Sequence, residues 1–439
     1  MVWVGFGVYG VLSKLRDALN KRKLTGMTAP FTVVTAVVLS SMVPAAVLSK
    51  HIDPGYTNFQ VHNRSRNVFP LEYGLNILTS CEKDAILFTH GDNDTYPVWY
   101  AQEVSGVRRD VRAVNLSLLK APWYIKQLRD EGVTIPITLT DDFIDNILCG
   151  NTLKAQRTLE WSPVPRKVTM AGLTWEMPPA YLIPTADGGK AGFLSVSSFM
   201  TAHIIKSVNW TRPIYFTVSV APAALIGLDK FMSTEGMVFR LTKEEAEGMY
   251  NINAPVLERN IFNEYSYSGV TDPAVYKSPE TAKLLQNYFV GFADLSIKYL
   301  ELGDMENALR AAQAAFEKSR PDLARRLMFY TILRDGGLGE NIEPMYDAEI
   351  KRLPIYDMEA SIAVGTRFLE YSLNGAAVRI FEKIVESYPR SEFAWKGFAA
   401  SLYRAERYTE ALEALDSLLV IVPGDVEALR LQGMIKDGL

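Results

Sequence analysis

The sequence predicts a layered α/β domain with a partly parallel sheet, preceded by one transmembrane helix and followed by an all-α array of helix-pair repeats. Three observations carry this: an uncharged apolar run over residues 27–49, alternating helix and strand signals between about residues 58 and 241, and a 34-residue period in the helical stretch after Pro279. A chain of 439 residues with 48% hydrophobic side chains can bury a large core. Its length suits about two to three domains. The 46 basic side chains against 50 acidic ones give a formal net charge of −4, which supplies no overall attraction to nucleic acid or to an anionic lipid surface. No nucleic-acid partner is expected. Cys81 and Cys149 form neither a CxxC pair nor a zinc-finger spacing, and one disulfide between them stays open.

From Met27 to Ser49 the chain reads MTAPFTVVTAVVLSSMVPAAVLS, without a charge and long enough to cross a hydrocarbon core of about 30 Å as a helix. Lys14, Arg16, Lys21, Arg22 and Lys23 precede it against the single acid Asp17, so residues 13–26 read as a cytoplasmic loop. The chain after about residue 50 is then extracytoplasmic, anchored in the inner (cytoplasmic) membrane. Residues 1–12 are apolar but too few to span, and read as the remnant of a preceding membrane helix. A cleavable signal peptide, with Ala45 and Ala46 near the cleavage site, is the competing reading. The run exceeds the usual apolar core of about 7–15 residues.

In the middle domain, residues 58–241, helix signals at Pro70 to Thr79, Tyr96 to Val104 and Pro122 to Arg129 alternate with apolar runs at Ala85 to Thr89 and Val111 to Leu116. A further helix ends near Val208, and Pro213 to Val220 follows as another strand. That order is Rossmann-like, and in such sheets ligands sit beyond the carboxyl ends of the strands. Two loops therefore hold the candidate binding residues. The first carries His90, Asp92, Asn93 and Asp94, with Trp99 on the helix behind it; the second carries Asn115, Ser117, Trp123 and Tyr124. Gly91 permits a tight turn, and Asp94 or Thr95 can cap a helix whose Pro97 suits its first turn.

The Asp92-Asn93-Asp94 triplet also has the form of a carboxylate pair after a strand, which could hold a divalent cation. Hard cations want several oxygen ligands, whereas acidic turn residues are more often structural, so no cofactor is assigned. His51, His62, His90 and His203 show no zinc spacing, and no nucleophile elbow, Walker A loop or dinucleotide fingerprint appears. No catalytic residue is therefore assigned. The Asn-x-Ser/Thr triplets at Asn63, Asn93, Asn115 and Asn209 are chance matches by default.

Residues 242–278 read as a linker, and 279–439 as repeats. Ala377, Phe381 and Pro389 recur as Ala411, Leu415 and Pro423, each 34 residues on, and Gly365 and Ala399 keep the same spacing. Trp395, Phe398 and Leu402 complete a tetratricopeptide-like pattern of small residues where helices cross and large ones beside them. An earlier copy lies near Phe292, Leu295, Tyr299, Ala308 and Pro321; residues 323–354 fit poorly. Such arrays can bind a partner protein, although stacking alone needs no ligand.

The stretch from Ser80 to Asp130, including AILFTHGDNDTYPVWYAQEVSGVRRDVRAVNLSLLKAPWYIKQLRD, resembles a family of polytopic bacterial membrane proteins related to protein O-mannosyltransferases. The similarity extends through HNRSR (His62 to Arg66), which adds Arg64 to the candidate binding residues, and through NWTRPIYFTV (Asn209 to Val218) and EGMVFRL (Glu235 to Leu241). The resemblance implies a membrane glycosyltransferase of the GT-C type with a lipid-linked sugar donor and its catalytic acid near the first membrane helices. This sequence has one whole apolar helix and a remnant ahead of its soluble part, so it looks like the C-terminal part of that architecture. The implied role is an extracytoplasmic accessory part that presents the acceptor protein and pairs with a membrane catalytic half. An anchored tetratricopeptide scaffold without enzymatic activity is the alternative, and metal-dependent transfer at Asp92 and Asp94 ranks last.

Overall fold

The computed structural model describes residues 13–14, 17, 41–42, 46–53, 56–148, 158–248, 250–319, 321–352 and 357–438. Most of residues 1–12, 13–26 and 27–49, and also Cys149, lie outside the described residues, so the expected membrane segment and disulfide fall there. Among the described residues no helix is long and apolar enough to cross a membrane. Cys81 is buried with a free thiol, whose pKa burial raises.

Contacts divide the chain into two compact units, one holding the described residues up to Pro70 with Ser268–Ala282, the other Leu71–Tyr267 with Lys283–Leu439. In the first, His51–Asp53 pairs antiparallel with Tyr56–Thr57 and leads into a short helix, Asn58–His62. Thr57 and Gln60 close a reciprocal capping box that starts this helix. Lys277 donates to the carbonyls of Asp272 and Val275 at 3.1 and 3.0 Å, closing the turn after the helix Ser268–Thr271.

The second unit begins in α1 (Phe69–Thr79) and alternates β1 (Ile86–Thr89), α2 (Asp92–Trp99), β2 (Arg112–Asn115) and α3 (Pro122–Asp130). Five short strands follow: β3 (Thr158–Trp161), β4 (Arg166–Met170), β5 (Leu173–Met177), β6 (Tyr181–Pro184) and β7 (Lys190–Ser195). Then come α4 (Val196–Val208), β8 (Ile214–Thr217), β9 (Met232–Thr234), β10 (Val238–Leu241) and β11 (Asn251–Ile252). The main sheet has the order β11-β9-β10-β8-β1-β2, with β8, β1 and β2 parallel and β10 antiparallel to both neighbours. Every residue of β1 and β8 is buried, as expected for central strands covered on both faces. Phe88 and Phe216 are register partners whose rings stack at 4.7 Å.

Two features depart from the sequence reading. Helix α2 starts at Asp92 rather than Tyr96, which puts Pro97 inside it; the backbone then widens into a π-turn over Tyr100–Val104. A Cβ at Gly74 on α1 would sit 2.3 Å from the Pro97 carbonyl oxygen, so only glycine lets the two backbones approach this closely. Between α3 and α4 the chain also builds a three-stranded antiparallel sheet, β3-β7-β6, and a hairpin, β4-β5, neither of which the sequence announces.

The segment read as a linker carries α5 (Ala254–Glu258) and buries Leu257, Asn260 and Ile261. The helical array follows: α6 (Pro279–Glu301), α7 (Met305–Glu317), α8 (Leu323–Leu333), α9 (Gly339–Arg352), α10 (Met358–Glu370), α11 (Asn374–Ser387), α12 (Glu392–Arg404), α13 (Tyr408–Ile421) and α14 (Val426–Gly438). Asp304, Asp322, Asp357 and Ser391 each accept from the backbone N–H three residues on, fixing where α7, α8, α10 and α12 begin. Ala377, Phe381, Ala411 and Leu415, the residues that show the period, are all buried. Phe381 fills the space that glycine leaves at Gly365 and Gly397, where a Cβ would lie 2.7 and 2.1 Å from its ring. Helix α6 is joined to the α/β part by hydrogen bonds: Asn76 to Tyr288 at 2.8 Å, Asn287 to Tyr73 at 2.8 Å, and Tyr250 to Asp294 at 3.0 Å.

Candidate functional site

Strands β1, β2 and β8 run parallel, so their carboxyl ends gather Thr89, Asn115 and Thr217 with the loops that follow. Asp94 sits among them, fully buried. Its Oδ1 accepts from the Tyr73 hydroxyl at 3.2 Å, and its Oδ2 accepts from Thr217 at 2.8 Å and from Ser219. Burial, and next the Asp94 carboxylate, raise the Tyr73 phenol well above its ordinary pKa. Asp94 therefore ties α1, α2 and β8 together. Asp92 and Asn93, in the first turn of α2, are exposed. The expected carboxylate pair is thus split between interior and solvent. Among the described residues no group of three His, Cys, Asp or Glu side chains converges as a metal site.

Asn115 and Tyr124 are also interior. The Asn115 amide donates to Thr95 Oγ1 at 2.9 Å, and its Oδ1 accepts from the backbone of Ser117 and Leu118 at 2.8 and 3.1 Å, shaping the loop after β2. The Tyr124 hydroxyl accepts from the Asn115 backbone N–H at 2.8 Å. Thr95 does not cap a helix through its own side chain; its hydroxyl donates to the Gly91 carbonyl and meets Thr89 at 2.7 Å. Gly91, with φ at +74°, is the residue before α2 and makes this turn possible. Trp123 is 60% exposed, against the edge of Tyr124, and Trp99 is half-buried against the core. Arg64 is exposed in the first unit, outside the elements that build the site.

Beyond the strand ends lies an open cleft of about 790 Å³. His90 from the loop after β1, Ser117 and Lys120 from the loop after β2, and Ala221, Ala223 and Ala224 from the loop after β8 line three sides. The start of α4 closes a fourth: Ser195 caps the helix by accepting from Ser198 N–H at 2.9 Å, and Ser197 donates to the Leu116 carbonyl at 2.6 Å. Tyr181 on β6 completes the wall. Of the candidate residues the structure brings only His90 and Ser117 to this cleft; Asp92 and Asp94 do not line it. Its polar lining is hydroxyls, one imidazole and one ammonium, with no carboxylate, which suits hydrogen bonding to a ligand rather than cation coordination. Strand β6 forms an edge of its sheet, and its Tyr181, Leu182 and Ile183 are 48%, 47% and 42% exposed.

A second cleft, of about 780 Å³, lies across the start of β8 and contains Glu235 of the EGMVFRL stretch. Glu235 is 2% exposed, accepts from Asn253 at 2.9 Å and has Arg240 3.7 Å away; burial raises its pKa. Arg240 also pairs with Glu82 at 2.6 Å. These charges compensate one another within the fold.

None of the curated proteins matches this chain. Among solved structures, MamA AMB-1 is 15% identical over 34% of this chain and 87% of that one, with a TM-score of 0.20. MamA 41-end from Desulfovibrio magneticus RS-1 is 20% identical over 36% of this chain and 85% of its own, also with a TM-score of 0.20. Scores that low carry nothing over to this chain. A family model described as TMEM260-associated domain 2 matches residues 70–147 and 187–256, about a third of the chain. Those two segments supply every wall of the strand-end cleft except Ala180 and Tyr181.

Proposed function

We propose that this chain is the extracytoplasmic, acceptor-presenting part of a membrane protein glycosyltransferase of the GT-C type, and that an extended acceptor segment adds to the edge of β6 and lies into the adjoining cleft. The observation that carries this reading is the edge strand itself. Strand β6 is a short edge that closes on Pro184, and ahead of that proline it presents three exposed apolar side chains in succession, the first of which, Tyr181, lines a cleft rich in hydroxyls. Strand addition uses such an edge, with main-chain hydrogen bonds for affinity and pockets for alternate side chains for selectivity. The resemblance of Ser80 to Asp130 to the O-mannosyltransferase-related family, and the family match over the cleft walls, support the glycosylation context and a membrane catalytic half as partner. No transfer step is assigned to Asp92 or Asp94. The test is glycosylation of acceptor proteins in membranes carrying Leu182→Lys and Ile183→Glu together: acceptor occupancy should fall with the fold intact, and unchanged occupancy would refute the reading.

The scaffold alternative rests on the far end of the array, where Phe393, Val420 and Val426 are 66%, 83% and 77% exposed. If Phe393→Glu releases a co-purifying partner while the edge-strand variants do not alter glycosylation, the scaffold reading prevails.

A further inference from the structure

The first unit carries apolar side chains that its own fold leaves uncovered. The N–H of Lys50 returns to the Ala46 carbonyl at 3.2 Å, so residues 46–50 close a helical turn, and Val47 and Leu48 on that turn are exposed. Asn58 fastens the turn to the next helix: its N–H donates to the Lys50 carbonyl at 2.7 Å, and its side-chain amide to the Val47 carbonyl at 3.1 Å. Phe59, the following residue, is thereby held beside this turn and is 54% exposed. The helix Asn58–His62 buries none of its five residues, so its caps and not its packing sustain it. A capped helix this short that presents a phenylalanine to solvent calls for something to cover it.

Basic side chains flank that apolar group. Between residues 50 and 70 the sequence has Lys50, Arg64 and Arg66 against the single acid Asp53. All three basic residues are exposed, and among the described residues none of them has an ion pair. The acids of the unit's other segment, Asp272 and Glu280, pair with none of them either. Arg64 and Arg66 stand on the loop that leaves the helix, where the Asn63 side chain accepts from the Ser65 N–H at 3.1 Å and from its hydroxyl at 2.7 Å and so shapes the turn.

The sequence brings this group to the level of a bilayer surface. As a helix, the uncharged run from Met27 to Ser49 rises about 34 Å against a hydrocarbon core of about 30 Å, so Val47 to Lys50 emerge among the lipid headgroups. We propose that this part of the first unit rests on the bilayer, with Val47, Leu48 and Phe59 at the boundary between acyl chains and headgroups and Lys50, Arg64 and Arg66 on anionic headgroups. The apolar side chains gain from burial and the basic ones from the surface charge, the combination that interfacial segments use. This contact requires that residues 27–49 cross the membrane, as the function proposed above also does.

The experiment reconstitutes the full chain, with a photoreactive phenylalanine analogue at Phe59, into vesicles of phosphatidylcholine and phosphatidylglycerol in equal parts and into vesicles of phosphatidylcholine alone. Illumination should yield a lipid adduct, read by mass spectrometry, and more of it in the anionic vesicles. Arg64→Gln should lower the yield there about fivefold, the change that about 1 kcal/mol per charge near an anionic surface gives, and raised salt should act in the same direction. Extraction of the same vesicles at alkaline pH tests the anchor alone: a chain that is released contradicts the membrane-spanning reading, and the contact with it. A chain that is retained but gives no lipid adduct at Phe59, captures protein there instead, or captures lipid equally in both vesicles overturns the contact and leaves the anchor standing. The two vesicles are compared with the arginines intact, so the result stands even if Arg64→Gln does not fold.

Discussion

Replacing Asp94 by alanine should unlock the strand ends, because its carboxylate takes hydrogen bonds from Tyr73, Thr217 and Ser219 at a fully buried position. A net hydrogen bond to a charged group is worth about 1.5–3 kcal/mol, and such bonds in one network do not add. Thr217 and Ser219 also lie 3.1 Å from each other, so their hydroxyls recover part of the loss. The cost of Asp94→Ala is therefore about 3–5 kcal/mol, and that of Asp94→Asn, which keeps one acceptor, about half. Asp92→Ala removes only an exposed charge from the first turn of α2, worth about 0.3–1 kcal/mol. Native-state amide exchange at Phe88 and Phe216 reads the opening of β1 and β8 directly. Loss of less than about 1 kcal/mol in Asp94→Ala, or an equal loss in Asp92→Ala, would refute the structural role of Asp94.

Asp294 is held up to about 7 from 3.8 by burial, offset in part by the Tyr250 hydrogen bond. The folded chain then keeps a proton that the unfolded chain has lost, so stability falls as pH rises from about 4 to about 7 and the cost is complete above that. Three pH units would set a ceiling of about 4 kcal/mol, and partial solvation reduces it to about 1–3; Asp294→Asn should remove that slope in urea titrations at several pH values. Gly397→Ala drives a methyl into the buried Phe381 ring and should lower stability by about 1–3 kcal/mol, whereas Gly397→Ala with Phe381→Leu should recover much of it in thermal unfolding. Tyr124→Phe leaves the Asn115 N–H without its acceptor and should cost about 1–3 kcal/mol, measured as faster exchange of that amide.

The sequence made the central sheet legible because strands buried on both faces read as continuous apolar runs. AILFT and PIYFT fall on β1 and β8 for that reason. It misplaced the start of α2 because proline favours a first turn, and the close approach of Gly74 that accommodates Pro97 inside the helix is a tertiary fact. The sheet β3-β7-β6 was not legible: β6 is exposed on both faces and so carries no alternation. At the site, the rule that ligands gather beyond strand ends singled out His90 and Ser117. Asp94, Asn115 and Tyr124 share those loops yet turn inward, since a polar side chain at a strand end can serve the fold as readily as a ligand. Tyr181 and the serines starting α4 were missed because they enter the cleft from segments remote in sequence. The pattern Ser195 followed by an apolar helix gives a cap signal that could have marked that start.

The most direct measurement places a photoreactive phenylalanine analogue at Tyr181 in the chain expressed in its own cells and maps what it captures on illumination. An extended acceptor segment crosslinked there, lost in the Leu182→Lys/Ile183→Glu variant, is the result this account predicts. Efficient glycosylation of acceptors with no acceptor captured at Tyr181, or capture that survives that variant undiminished, would contradict it.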